Sequence, residues 1–144
     1  MLEHGPTPRG WLLQALYTSA ELCLIGDTSS LGALGRTLQE SLETPIVVDL
    51  VEREPAPYDG CLLSLVVEVS DGAVVIGRKE TTLTIHGGRE QIAMLGSNLT
   101  WLATNQDPAD PLAHIHLEHL PDYPDGYYIG PESVPLVVEL VTEI

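Results

Sequence analysis

Apolar residues in this chain come mostly in short alternating runs, interrupted twice by stretches where they return every three or four positions. Strict alternation predicts strands, and three- or four-residue spacing predicts one buried helical stripe. On that basis 11–18 and 21–25 read as strands. Leu31, Leu34, Leu38 and Leu42 mark a helix that follows Gly26. Asp27-Thr28-Ser29-Ser30 offers several N-caps for it, and Glu43-Thr44-Pro45 is the expected stop. Residues 46–52 read as a strand, 55–60 as a turn-rich loop and 62–70 as another strand. Asp71-Gly72 between two β-rich runs predicts a hairpin turn. Strands at 73–78 and 81–86 follow, then a helix over 89–103 with Ile92, Leu95, Leu99 and Leu102 inward, and strands at 112–119 and 134–141.

The second half of this pattern echoes the first. Leu22-Cys23-Leu24-Ile25-Gly26 with Leu31, Leu34-Gly35 and Leu38 returns 61 positions later as Leu83-Thr84-Ile85-His86-Gly87 with Ile92, Leu95-Gly96 and Leu99. Leu65-Val66-Val67-Glu68-Val69 returns as Leu136-Val137-Val138-Glu139-Leu140 at an offset of 71. An offset that only grows is what loop insertions do to a duplication. The expected fold is therefore α+β: two tandem β-β-α-β-β repeats, 11–70 and 72–142, related by a pseudo-twofold axis, with both helices on one face of a mixed sheet. Units of about 70 residues bury little of their surface alone, so 1–144 is expected to be a single compact domain with a shared core. Each helix carries a glycine within its stripe, Gly35 and Gly96. Helix-interior glycine costs about 1 kcal/mol against alanine, which predicts close backbone approach at both.

Charge changes the picture more than composition does. Six basic residues against 21 acidic ones give a formal net charge of −15, and Arg89 is the last Lys or Arg in the chain. Phosphate contact needs basic side chains, so nucleic acid and anionic membranes are excluded as partners. A basic protein partner is the natural complement. No apolar run approaches the roughly 18 residues needed to span a bilayer, and the first ten residues lack a signal-peptide pattern. Cys23 and Cys61 lie in apolar strand patterns without metal-type spacing and read as buried thiols in a reducing compartment, the cytoplasm.

Candidate chemistry concentrates in the second repeat. On a strand, His114, His116 and Glu118 share one face and Ile115 and Leu117 the other. His-x-His is a metal-ligand spacing, with Glu118 or His86 as the conceivable third ligand. A half-exposed strand alternating polar and apolar residues is the competing reading. The following connection gathers Asp122, Tyr123, Asp125, Tyr127, Tyr128 and Glu132. Tyrosines supply large, rigid contact area and recur at binding hot spots, but rings packed on a sheet edge would give the same pattern. No Gly-x-Ser-x-Gly elbow, phosphate-binding glycine loop or Cys-x-x-Cys pair is present, so no enzymatic activity and no resident cofactor are expected, a divalent metal at His114 and His116 being the one exception considered.

Leu83-x-Ile85-x-Gly87, the helix with Leu95 and Leu99, His114-Ile115-His116-Leu117-Glu118, a Pro/Tyr-containing turn and Ser133-Val134-Pro135-Leu136-Val137-Val138 together resemble immunity protein family 32 of bacterial polymorphic-toxin systems. The resemblance covers about 73–142, and the first repeat departs from it by lacking both histidines. It implies a cytosolic, non-catalytic antidote that binds and blocks a cognate toxin, for which a basic nuclease is one candidate class. The expected partner-binding residues are His114, His116, Glu118, Asp122, Tyr123, Asp125, Tyr127, Tyr128 and Glu132, on a monomer or homodimer. Two readings compete: a metal-binding or ligand-sensing regulatory domain built on the His-x-His strand, and an oligomerisation scaffold using exposed sheet edges.

Overall fold

A computed structural model describes residues 11–40, 42–122 and 128–144. Among them are nine strands and two helices: β1 (Leu13–Tyr17), β2 (Leu22–Asp27), α1 (Thr28–Gln39), β3 (Ile46–Asp49), β4 (Gly60–Leu62), β5 (Ser64–Val69), β6 (Val75–Lys79), β7 (Thr82–Gly87), α2 (Arg89–Asn105), β8 (His114–Leu117) and β9 (Leu136–Val141). The fold is α+β. The strands form two mixed sheets instead of the one expected, ordered β4-β1-β2-β9-β8 and β3-β5-β7-β6.

The helix-containing crossovers pass between these sheets. β2 leads through α1 to β3 in the other sheet, and β7 leads through α2 to β8. Parallel pairing joins strands from opposite halves of the chain. β2 runs beside β9 with Leu22 opposite Leu136 and Gly26 opposite Leu140. β7 runs beside β5 with Leu83 opposite Leu65 and Gly87 opposite Val69. The flanking pairs are antiparallel: β1 with β2, β8 with β9, β6 with β7 and β3 with β5.

Two local expectations change. The apolar run at 60–69 is two strands, because the chain bends at Leu63, 42% exposed, and moves from β1 in the first sheet to β3 and β7 in the second. Asp71-Gly72 is a turn, with Gly72 at φ +76, but not a hairpin. β7 lies between β5 and β6, and the Gly72 carbonyl accepts from Gly88 N–H beyond the end of β7 (2.8 Å).

The apolar stripes of both helices and the inner faces of both sheets form one continuous core, including Leu24, Leu34, Leu65, Leu83, Leu95 and Val138. Asp27 caps α1, its carboxylate accepting from Ser30 N–H (2.8 Å). The helices pack chiefly on each other, and Gly35 and Gly96 lie at their closest approach: a Cβ on either would meet the other's carbonyl oxygen, at 2.7 and 2.5 Å. Side chains meet across the same contact, where Gln39 donates to Thr100 Oγ1 (3.3 Å).

A smaller apolar cluster of Leu16, Cys23 and Ile25 covers the outer face of the first sheet, with Tyr58, Cys61, Val141 and Ile144 against it. Cys23 and Cys61 are both free and flank Leu16 on adjacent strands. Two interstrand spacings of about 4.8 Å separate their backbones, beyond disulfide reach. Burial pushes the Cys23 thiol up to about 12, helped by the charge of Glu139. No helix among the described residues is long and apolar enough to cross a membrane.

Candidate functional site

β8 is an edge strand, hydrogen-bonded to β9 on one side. Beside it runs α2, and between them opens a cleft of about 400 Å³ lined by Asn98, Trp101, His114, Ile115, His116 and Leu117. Met94, Asn98 and Trp101 follow one another at four- and three-residue steps, so they share a face of α2. Met94 and Trp101 are each about half exposed, at 49% and 50%. Large apolar side chains so placed are costly to leave in water and mark contact surfaces when they cluster. Counting 61 positions back from these three gives Ala33 and Thr37 on α1 and Glu40 at its C-cap, which carry no comparable apolar surface.

His114 and His116 stand on the outward face of β8, opposite Glu139 and Val137 of β9. Their Nε2 atoms are 3.1 Å apart, and the rings meet edge to face with centroids 4.9 Å apart. His114 Nδ1 lies 2.8 Å from the Leu112 carbonyl, to which it donates. Leu112 itself is 72% exposed. His86 is on β7 of the other sheet, its Nδ1 3.3 Å from Ser70 Oγ. Among the described residues no three His, Cys, Asp or Glu side chains gather as a metal cluster, so neither Glu118 nor His86 supplies the third ligand considered from the sequence.

The connection after β8 divides into packed and exposed parts. Tyr123, Asp125 and Tyr127 lie outside the described residues. Asp122 and Glu132 are exposed and Glu118 is half-buried. Tyr128 is 5% exposed and belongs to the core, its hydroxyl donating to Asn98 Oδ1. It therefore packs as the structured-connection reading has it, and is corrected from a surface anchor to a structural residue. His119 and Ser133 also act structurally. His119 Nδ1 donates to the Ile129 carbonyl (2.9 Å). Ser133 Oγ accepts from Ile76 N–H (2.9 Å) and donates to the Val74 carbonyl (3.1 Å), fastening the connection to β6.

Sequence reasoning found β8 but missed the α2 wall of the cleft. Trp101 sits between the inward residues Leu99 and Leu102, and only its position off the buried stripe marks it as outward.

The site is thus a cleft between an edge strand and a helix of a small α+β body. Residues 82–141 match the family described as Immunity protein 32, in agreement with the resemblance found in the sequence. The matched span runs from β7 through α2 and β8 to β9 and contains the whole cleft lining. No curated protein and no solved structure gives a significant match.

Proposed function

We propose that this chain is a cytoplasmic immunity protein that binds and neutralises a basic protein toxin without catalysis, docking it on the α2–β8 side of the second repeat. The match of residues 82–141 to an immunity family carries this reading. Charge gives it a partner: with a net −15 and no Lys or Arg after Arg89, the second half of the chain complements a basic surface. Trp101 is the aromatic anchor in the cleft. His114, His116, Glu118, Asp122 and Glu132 are its proposed polar contacts; Tyr123, Asp125 and Tyr127, expected from the sequence to join them, lie outside the described residues.

On this reading the chain is a duplication whose halves have exchanged strands. Adding 61 to β2 positions and subtracting 71 from β9 positions converts Leu22 opposite Leu136 into Leu83 opposite Leu65, and Gly26 opposite Leu140 into Gly87 opposite Val69, which are the pairs of the other sheet. The same operation exchanges Gly35 with Gly96 and Gln39 with Thr100, both of which meet across the helix contact. A near-twofold axis through that contact accounts for all four relations. The first repeat then supplies three of the five strands of one sheet and two of the four of the other, and the second supplies the binding face.

Co-expression with the protein encoded by the adjacent reading frame tests the function. The expected result is relief of that protein's toxicity, together with a complex that weakens as salt rises. Undiminished toxicity, with no complex at low salt, would contradict it.

A further inference from the structure

We propose that His114 and His116 form a binding site for one divalent transition-metal ion of the imidazole-preferring class: copper, nickel or zinc. Both rings rise from the outward face of β8 and bring their Nε2 atoms to 3.1 Å. Metal–imidazole bonds of about 2.0–2.1 Å put two ligands about 2.9 Å apart at a right angle and about 3.3 Å apart at a tetrahedral angle. The observed separation falls between these limits. The centroids are only 1.8 Å farther apart than the nitrogens, less than two ring radii, so the ring axes are bent and not end to end. One hydrogen bond between the rings does not require that bend, whereas one ion held by both nitrogens does.

Tautomer control is already present. His114 Nδ1–H donates to the Leu112 carbonyl, which leaves the Nε2 lone pair of the neutral ring free for a metal. Such an outer hydrogen bond is the usual support of a ligating histidine. In the metal-free protein His116 Nε2–H donates to His114 Nε2. To bind the ion, neutral His116 carries its proton on Nδ1 instead, so two neutral imidazoles coordinate without net proton release. Glu139 lies directly across from His114 on β9. With two protein ligands the remaining positions fall to water. Imidazole donors favour copper, nickel and zinc over magnesium and calcium.

The test needs no toxin, so its failure leaves the proposed function standing. The whole chain, stripped with chelator, is titrated calorimetrically with NiCl2 and with ZnCl2, while the histidine ring signals are followed by NMR. One ion per chain is expected, shifting the His114 and His116 signals and sparing His86, with no response to MgCl2. Loss of an outer partner alone weakens metal sites about tenfold or more, so His114→Gln or His116→Gln should weaken binding at least about tenfold. His86→Gln should bind as the wild type does. The proposal is overturned if His116→Gln, at an exposed position, binds nickel and zinc unchanged. It is also overturned if the wild type binds neither at millimolar concentration, which would leave the pair a plain hydrogen bond.

Discussion

Gly35 and Gly96 face each other across the helix contact so closely that neither has room for a methyl group. A Cβ on Gly96 would lie 2.5 Å from the Gly35 carbonyl oxygen and 2.9 Å from Leu38 Cβ. In an isolated helix Gly→Ala is worth about 1 kcal/mol in the stabilising direction. Here the obstacle is backbone, which cannot swing aside, and overpacking typically costs about 1–3 kcal/mol. Gly96→Ala and Gly35→Ala are each expected to lower the urea midpoint with an unchanged slope. A raised midpoint for either would mean that the helices separate freely.

Cys23 provides a pH signature. Its thiol is pushed up to about 12 by burial, and that of the Tyr58 hydroxyl, which it hydrogen-bonds, also to about 12 by burial and the neighbouring thiol. The folded state keeps both groups neutral, while the unfolded chain ionises the thiol near its ordinary 9.0. Stability is thus fully present below pH 9 and falls as pH rises from about 9 toward 12. Cys23→Ala should flatten that decline in denaturant melts across the same range. Iodoacetamide at pH 8 should label Cys61 ahead of Cys23, and the reverse order would show Cys23 to be accessible.

Much of the secondary structure was legible in the sequence because it is set locally. The leucine stripes of both helices, the Asp27 cap and the need for close approach at Gly35 and Gly96 follow from spacing and side-chain size. The division into two sheets was not legible, since β2 pairs with β9 and β5 with β7 through contacts remote in sequence. The bend at Leu63 was hidden because an apolar run stays apolar when it changes sheets. Half of the candidate site was legible too. His114 and His116 stand out by alternation, whereas Trp101 joins them only because α2 lies beside the edge strand.

Tyr128 and Ser133 separate fastening from recognition. Ser133→Ala removes the acceptor for Ile76 N–H and the donor to Val74. It should cost about 1–3 kcal/mol as a part-buried loss. Tyr128→Phe removes the hydroxyl that donates to Asn98 and should cost about 1 kcal/mol. In each case thermal or urea melts should register the change, and the partner's off-rate should stay within about twofold for Tyr128→Phe. A large off-rate increase with unchanged stability would return Tyr128 to the contact surface.

Paired variants of the two helices test most directly the proposal that the second half of the chain carries the binding face. Trp101 on α2 lies beside β8, and its counterpart by the 61-residue offset is Glu40, at the end of α1. Affinity for the protein encoded by the adjacent reading frame is measured for Trp101→Ala and for Glu40→Ala, with melts to confirm that both fold. Removal of a central aromatic anchor costs about 2 kcal/mol or more, so Trp101→Ala should weaken binding roughly thirtyfold, mostly through the off-rate. Glu40→Ala should leave the off-rate unchanged. Equal or greater loss from Glu40→Ala, or full affinity in Trp101→Ala, would contradict the account.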